Sequence, residues 1–322
     1  MRLDVLRLAI AIPAVLLLQC SSDATPGGAS ATTDGGSTID GDGGTVGTDG
    51  GSTTETDGGT PSGGDGGSSV TAQPVRSAGC GKAAKPSPVL GDKRTIKVGT
   101  RNRTFLEYIP AGYDPNKNYP LVFTLHGIGA TGAEMAEYIM MQDYVSGGAV
   151  VVFPDAVNGN WDTGGNIDLD FHEAMIDAVG DRLCLNQQRV YALGFSYGAY
   201  MVNHLGCKRP SRIRAIVAAN GGFGGSTAGC GQTSALVYHR TDDDDESVVN
   251  GRNARDKWVA IDKCTTTTKA FGTLGCVEYQ GCAPKTVVAW CEDKVPAACN
   301  GCKHDLRDVY RVPLWQWMAS QQ

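Results

Sequence analysis

Between residues 21 and 79 the chain has no phenylalanine, tryptophan or tyrosine and almost no aliphatic side chain. A stretch so poor in apolar surface cannot offset the entropy of ordering itself, which excludes a core there. Residues from about 79 to 322 remain for a single domain of ordinary size. Basic runs are also missing. The net charge is −6, but Arg2 and Arg7 against Asp4 give residues 1–20 a charge of +1, and eight acidic groups against Arg76 give residues 21–79 a charge of −7, leaving the rest neutral. A neutral domain without a basic stripe has no electrostatic footprint for nucleic acid, which is excluded as a partner. The apolar run at residues 8–18 falls short of the ~20 residues that a membrane-spanning helix needs.

That run follows Arg2 and Arg7, the layout of a secretory signal over residues 1–20. It ends in Leu17-Leu18-Gln19-Cys20-Ser21-Ser22, which resembles the lipobox of bacterial lipoproteins and departs from it at Gln19. The resemblance implies that Cys20 is lipidated and becomes the mature N-terminus. Membrane attachment is then expected only through Cys20, and the protein is expected outside the cell, secreted or tethered to its outer surface. Residues 21–78 read as a disordered spacer in which Asp-Gly-Gly recurs at Asp34, Asp42, Asp49, Asp57 and Asp65. A calcium-binding repeat would need an inward apolar residue in each unit, and there is none. With Gly-rich statistics the spacer reaches on the order of 40 Å.

Cysteine is plentiful, with 11 in all and ten after Cys20 is set aside. An even count in an exported chain implies a disulfide framework. A zinc site built from Cys299, Cys302, Cys291 and His304 is the weaker reading, because no second Cys-x-x-Cys pair accompanies the first. No cofactor or metal is expected, and the protein is expected to be a monomer.

Along residues 79–322, hydrophobic patterning predicts a hairpin (95–98 and 103–109), strands at 119–125, 149–153, 190–193, 213–219, 234–239 and 286–291, and helices at 133–145, 168–183, 197–205 and 251–261. Pro313 is expected to open a terminal helix at its first turn. Strands alternating with helices imply a mostly parallel sheet covered on both faces, a three-layer α/β fold.

The chemistry concentrates at Gly194-Phe195-Ser196-Tyr197-Gly198. An apolar strand precedes this G-x-S-x-G pattern and a helix follows it, the context of a nucleophile elbow, which specifies an α/β-hydrolase with Ser196 as nucleophile. A serine needs a base, and the base an orienting acid, in the chain order serine, acid, histidine. Of the five histidines, His126 and His172 precede Ser196, His204 lies in the following helix and His239 sits just ahead of the acidic loop, which leaves His304 as general base. The acid belongs to Asp242-Asp243-Asp244-Asp245-Glu246, ordinarily a solvated run, and spacing does not choose among the five. The oxyanion requires backbone donors, expected from Tyr197 and, in His126-Gly127-Ile128-Gly129, from Ile128.

Ser77 to Lys82, the elbow, Arg212 to Val217 and Gly251-Arg252-Asn253-Ala254-Arg255-Asp256-Lys257-Trp258 together resemble secreted feruloyl esterases of carbohydrate esterase family 1, a group similar also to acetyl xylan esterases and polyhydroxybutyrate depolymerases. The resemblance implies an ester substrate on plant cell-wall polysaccharide. It places the acid eight residues before Gly251, at Asp243, and implies the bridges Cys80–Cys184, Cys207–Cys230 and Cys264–Cys282, without assigning the pairing of Cys276, Cys291, Cys299 and Cys302. The chain departs from the family pattern in having Asp245 and Glu246 where apolar residues are usual, and Cys302-Lys303 where Gly-Gly precedes the histidine. Tyr197 after the serine favours the feruloyl subgroup, since depolymerases tend to have alanine there. An acetyl or aliphatic-polyester substrate for the same triad is the alternative, and an inactive surface-displayed binding lipoprotein is the alternative of another class.

Overall fold

The computed structural model describes residues 75–87, 90–294 and 303–321. The expected export signal, Cys20, most of the expected spacer, Cys299 and Cys302 lie outside the described residues. Packing starts a few residues ahead of position 79: Arg76 bridges Asn186, and buried Ser77 donates from Oγ to the Leu183 carbonyl at 2.6 Å.

The strands are β1 (Asp92–Val98), β2 (Arg101–Tyr108), β3 (Tyr119–Leu125), β4 (Val150–Pro154), β5 (Leu185–Phe195), β6 (Ala215–Ala219), β7 (Ser234–Arg240), β8 (Thr268–Phe271), β9 (Cys276–Tyr279) and β10 (Val288–Asp293). They form one sheet in the order β1-β2-β4-β3-β5-β6-β7-β10-β9-β8. From β4 to β10 neighbours run parallel, and the two hairpins β1/β2 and β8/β9 attach antiparallel at either edge. Every residue of β3, β4, β6 and β7 is buried, as a sheet with both faces covered demands.

The helices are α1 (Gly132–Ile139), α2 (Met141–Tyr144), α3 (Ile167–Gly180), α4 (Tyr197–Lys208), α5 (Val248–Ile261) and α6 (Asp308–Ser320). Side chains of α3, α4 and α5, such as Phe171, Val202 and Trp258, fill the core on one face of the sheet. Those of α1, α2 and α6, such as Met135, Met141 and Leu314, fill the core on the other. This is the three-layer α/β-hydrolase architecture that the alternating pattern implies.

Three local features differ from the sequence reading. The helix expected over 133–145 breaks at Met140, which adopts a left-handed conformation (φ 49°). That break leaves Met140 exposed while Ile139 and Met141 on either side both reach the core, an apolar gain that offsets the ~1–2 kcal/mol of the strained residue. Pro313 does not open the terminal helix but lies inside it, because α6 already starts at Asp308. The carbonyl that loses its partner to the proline ring belongs to Val309, which is exposed and open to water. The β8/β9 hairpin was not anticipated, since β8 is nearly all exposed and carries no alternating apolar pattern.

Four disulfides staple the described residues: Cys80–Cys184, Cys207–Cys230, Cys264–Cys282 and Cys276–Cys291. The last joins directly opposed residues of β9 and β10. It also withdraws Cys291 from the zinc reading. Chain-entropy arguments put each short bridge at about 3 kcal/mol and the 104-residue Cys80–Cys184 closure higher, near ~4.7 kcal/mol.

Candidate active site

Ser196 stands between β5 and α4 at φ 56°, ψ −121°, a region that costs of order 1–3 kcal/mol for a residue with a side chain. Its amide donates to the Ala219 carbonyl at 2.9 Å. The flanking glycines are demanded by close approach. A Cβ at Gly194 would lie 2.1 Å from the Gly198 carbonyl oxygen, and one at Gly198 would lie 2.4 Å from that of Leu125.

His304 lies in the loop ahead of α6, and its ring packs 4.9 Å from that of Phe195, the neighbour of Ser196. Nδ1 of His304 meets both oxygens of Asp243, at 3.0 and 2.8 Å. A carboxylate can only accept there, so Nδ1 carries the proton and Nε2 is left as the acceptor. Burial pulls the His304 pKa down, but the hydrogen bond and charge of Asp243, with Asp245 and Glu246 behind, more than reverse this, and the net shift is upward from 6.5. Asp243 has a fully buried side chain and is itself aimed by two backbone donors to Oδ1, Glu246 N at 2.9 Å and Asp245 N at 3.1 Å.

The rest of the acidic run is divided among partners. Asp242 receives both forks of buried Arg240 at 2.9 Å, which lowers its pKa. Asp244 pairs with Lys303 on the surface, and Glu246 accepts from Tyr200 Oη and Asn250 Nδ2, each at 2.7 Å. Four of the five carboxylates that sequence could not tell apart thus have four different sets of partners.

The His304 loop is anchored at its neighbour. Tyr138 of α1 donates to Asp305 Oδ1 at 2.6 Å and accepts from Leu306 N, while Asn220 Nδ2 donates to the Asp305 carbonyl at 3.1 Å. The sequence reading missed both anchors. Asn220 was findable in principle, as an Asn-Gly step closing an apolar strand, and it has the positive φ (48°) that such a step favours.

The loop after β3 lies against the nucleophile, with the position of a Cβ on Gly127 only 3.3 Å from Ser196 Cβ. Its shape is fixed by His126. Ala156 N donates to His126 Nε2 at 3.1 Å, so Nδ1 carries the proton and donates to the Gly127 carbonyl at 2.7 Å. Trp161 Nε1 then donates to the His126 carbonyl at 2.9 Å. Burial holds the His126 pKa below 6.5, keeping the ring neutral in this role. Ile128 is two-thirds exposed at the rim, and Tyr197 opens α4, so its amide is among those that a helix leaves without an internal acceptor.

Ser196, His304, Ile128, Phe195, Met135 and Tyr138 share a largely apolar cavity of about 330 Å³. Its size falls within the range of sites for small organic groups. Among the described residues no group of three or more His, Cys, Asp or Glu side chains has the arrangement of a metal site.

The sequence profile of the α/β hydrolase fold matches residues 120–243, which run from β3 to Asp243. Feruloyl esterase D of Neurospora crassa is 29% identical over 235 residues, covering 66% of this chain and 79% of that protein. A probable feruloyl esterase C of Aspergillus terreus is 29% identical over 239 residues, covering 69% of this chain and 85% of that protein. Among solved structures, a ferulic acid esterase of Anaeromyces mucronatus in complex with ferulic acid aligns with a TM-score of 0.51 at 17% identity over 74% of this chain and 92% of its own length, a likeness of fold.

Proposed function

We propose that this chain, an α/β hydrolase with feruloyl esterases among its relatives, is an exported serine esterase that cleaves carboxylic esters of plant cell-wall polysaccharide, feruloyl esters foremost. The observation that carries the reading is the buried Asp243 carboxylate bonded to His304 Nδ1 at 2.8 Å, on the rim of a cavity that His304 shares with Ser196. In this scheme Ser196 Oγ attacks the ester carbonyl carbon and its proton passes to His304 Nε2. The amides of Tyr197 and Ile128 hold the developing oxyanion. Collapse breaks the bond to the alkoxy group, which leaves with the proton from His304. Water repeats the sequence on the acyl-enzyme, releasing the acid and restoring the serine.

The apolar cavity supports an aromatic acyl group, because an acetyl group would leave most of its volume empty. Four disulfides fit an oxidising compartment. The finer reading, a protein tethered at the outer cell surface through lipidated Cys20 and the spacer, is supported by the lipobox-like sequence and the composition of residues 21–78. The test is hydrolysis of methyl ferulate, acetylated xylan and a polyhydroxybutyrate film side by side. Methyl ferulate is expected to turn over fastest, and a preference for either of the others overturns the feruloyl assignment.

A further inference from the structure

The alcohol side of a polysaccharide ester has to rest somewhere outside the acyl cavity. A second and larger hollow, about 540 Å³, opens on the opposite face of the sheet, between α4 and α5. Tyr200 of α4, Phe223 after β6, and Asn250, Asn253 and Asp256 of α5 line it. The last three recur every third residue and so share one face of their helix.

Two observations connect this groove to Ser196. Tyr200 follows Ser196 by four residues, one turn along α4. Gly221, next to the lining residue Gly222, packs so tightly that a Cβ there would lie 2.5 Å from the Ser196 carbonyl oxygen. The acyl cavity on the α1 side and this groove on the α5 side therefore lie on either side of the turn that presents the nucleophile.

Their chemistry is opposite. The acyl cavity is largely apolar, whereas the groove offers amides, a phenol, a carboxylate and an aromatic ring. Such groups both donate and accept, which suits a neutral polyhydroxylated ligand. Lys257, the cation of the lining, donates to the Phe223 and Gly225 carbonyls at 2.9 and 3.1 Å, so the groove is not built for an anion. The wall nearest the serine is fixed by Glu246, which accepts from both Tyr200 and Asn250 and whose amide also orients Asp243. Asn253 and Asp256 remain exposed at the open side.

We propose that this groove binds the glycosyl residues on the alcohol side of the scissile ester, as a subsite for a neutral oligosaccharide. The inference rests on the esterase reading above. Its test uses the full chain and its Asn253→Ala and Asp256→Ala variants, with methyl ferulate, a feruloylated arabinoxylan oligosaccharide and the same oligosaccharide without its feruloyl group. The expected result is a KM for the feruloylated oligosaccharide raised about fivefold or more in each variant, the loss of one or two hydrogen bonds, with kcat/KM for methyl ferulate within about twofold of the wild type. Calorimetric binding of the feruloyl-free oligosaccharide is expected in the wild type and weakened in both variants. An unchanged KM for the sugar ester, an equal change for both esters, or no binding of the free oligosaccharide overturns the groove assignment. A wild type inactive on every ester overturns the esterase reading instead, and the calorimetry then still decides the groove.

Discussion

Two histidines approach the same carboxylate at different distances. His304 comes within 2.8 Å of Asp243 Oδ2 from a loop on the cavity rim, while His239, at the end of β7, lies 3.8 Å from the same oxygen, fully buried. Nε2 of His239 faces the Glu246 carbonyl at 2.8 Å, and its ring is backed by Gly251, where a Cβ would lie 2.5 Å from Nδ1. Burial dominates for His239 and lowers its pKa; for His304 burial also pulls downward, but the bond to Asp243 together with the charges of Asp243, Asp245 and Glu246 reverses it and the net shift is upward. Proximity to a carboxylate is therefore not enough to make a base. The imidazole must bond it directly and keep its other nitrogen toward the substrate.

The widest separation between the two comes from removing each in turn. His304→Gln is expected to lower kcat on p-nitrophenyl acetate by about 10³–10⁶, as for the nucleophile itself, whereas His239→Gln should leave kcat within about tenfold. His239→Gln should instead lower Tm, by about 2–4 °C for each kcal/mol of packing lost around Gly251. A fall in turnover for His239→Gln matching that for His304→Gln would erase the distinction.

Asp243→Asn removes the partner the two rings share. Turnover is expected to drop by about 10⁴, because an amide no longer enforces the tautomer with Nδ1 protonated. Asp242→Asn and Asp245→Asn should change it little, and if Asp243→Asn is the mildest of the three, the acid lies elsewhere.

The pH profile sharpens the comparison further. His304 must be neutral to act, so kcat/KM falls on acidification, and the raised pKa puts that midpoint above 6.5. In Asp243→Asn the residual activity should lose this rise, with its midpoint moving to lower pH. The buried histidines act in the opposite sense on stability. His126 and His239 are lowered and His172, wholly buried, is lowered to about 4, so the unfolded chain takes up protons first. Their contribution is complete above about 6.5 and is lost as the pH falls toward 4, which a Tm series across that window should show. The smallest effect is expected at Lys303→Ala, since the Lys303–Asp244 pair is exposed and contributes at most about 1 kcal/mol.

The α/β architecture was legible because its strands and helices carry strong, separate periodicities. The elbow was legible because a strand, a strained turn and a helix must follow one another within a dozen residues. The acidic run was not, because five adjacent carboxylates look alike in one dimension and differ only in what Arg240, His304, Lys303 and Tyr200 bring from elsewhere. The anchoring roles of Tyr138 and Asn220 were hidden for the same reason, even though the Asn-Gly step itself marks a turn: the loop they hold is more than 80 residues distant in sequence from either. The β8/β9 edge escaped because an exposed strand secured by the Cys276–Cys291 bridge needs little apolar patterning.

The central claim is that Ser196 and His304 act as one unit. The measurement that tests it most directly is kcat for p-nitrophenyl acetate in Ser196→Ala, His304→Gln and the double variant. If the two side chains work together, the double variant will be no slower than either single one. Losses that multiply would mean that His304 serves some other step, and the proposed triad would be contradicted.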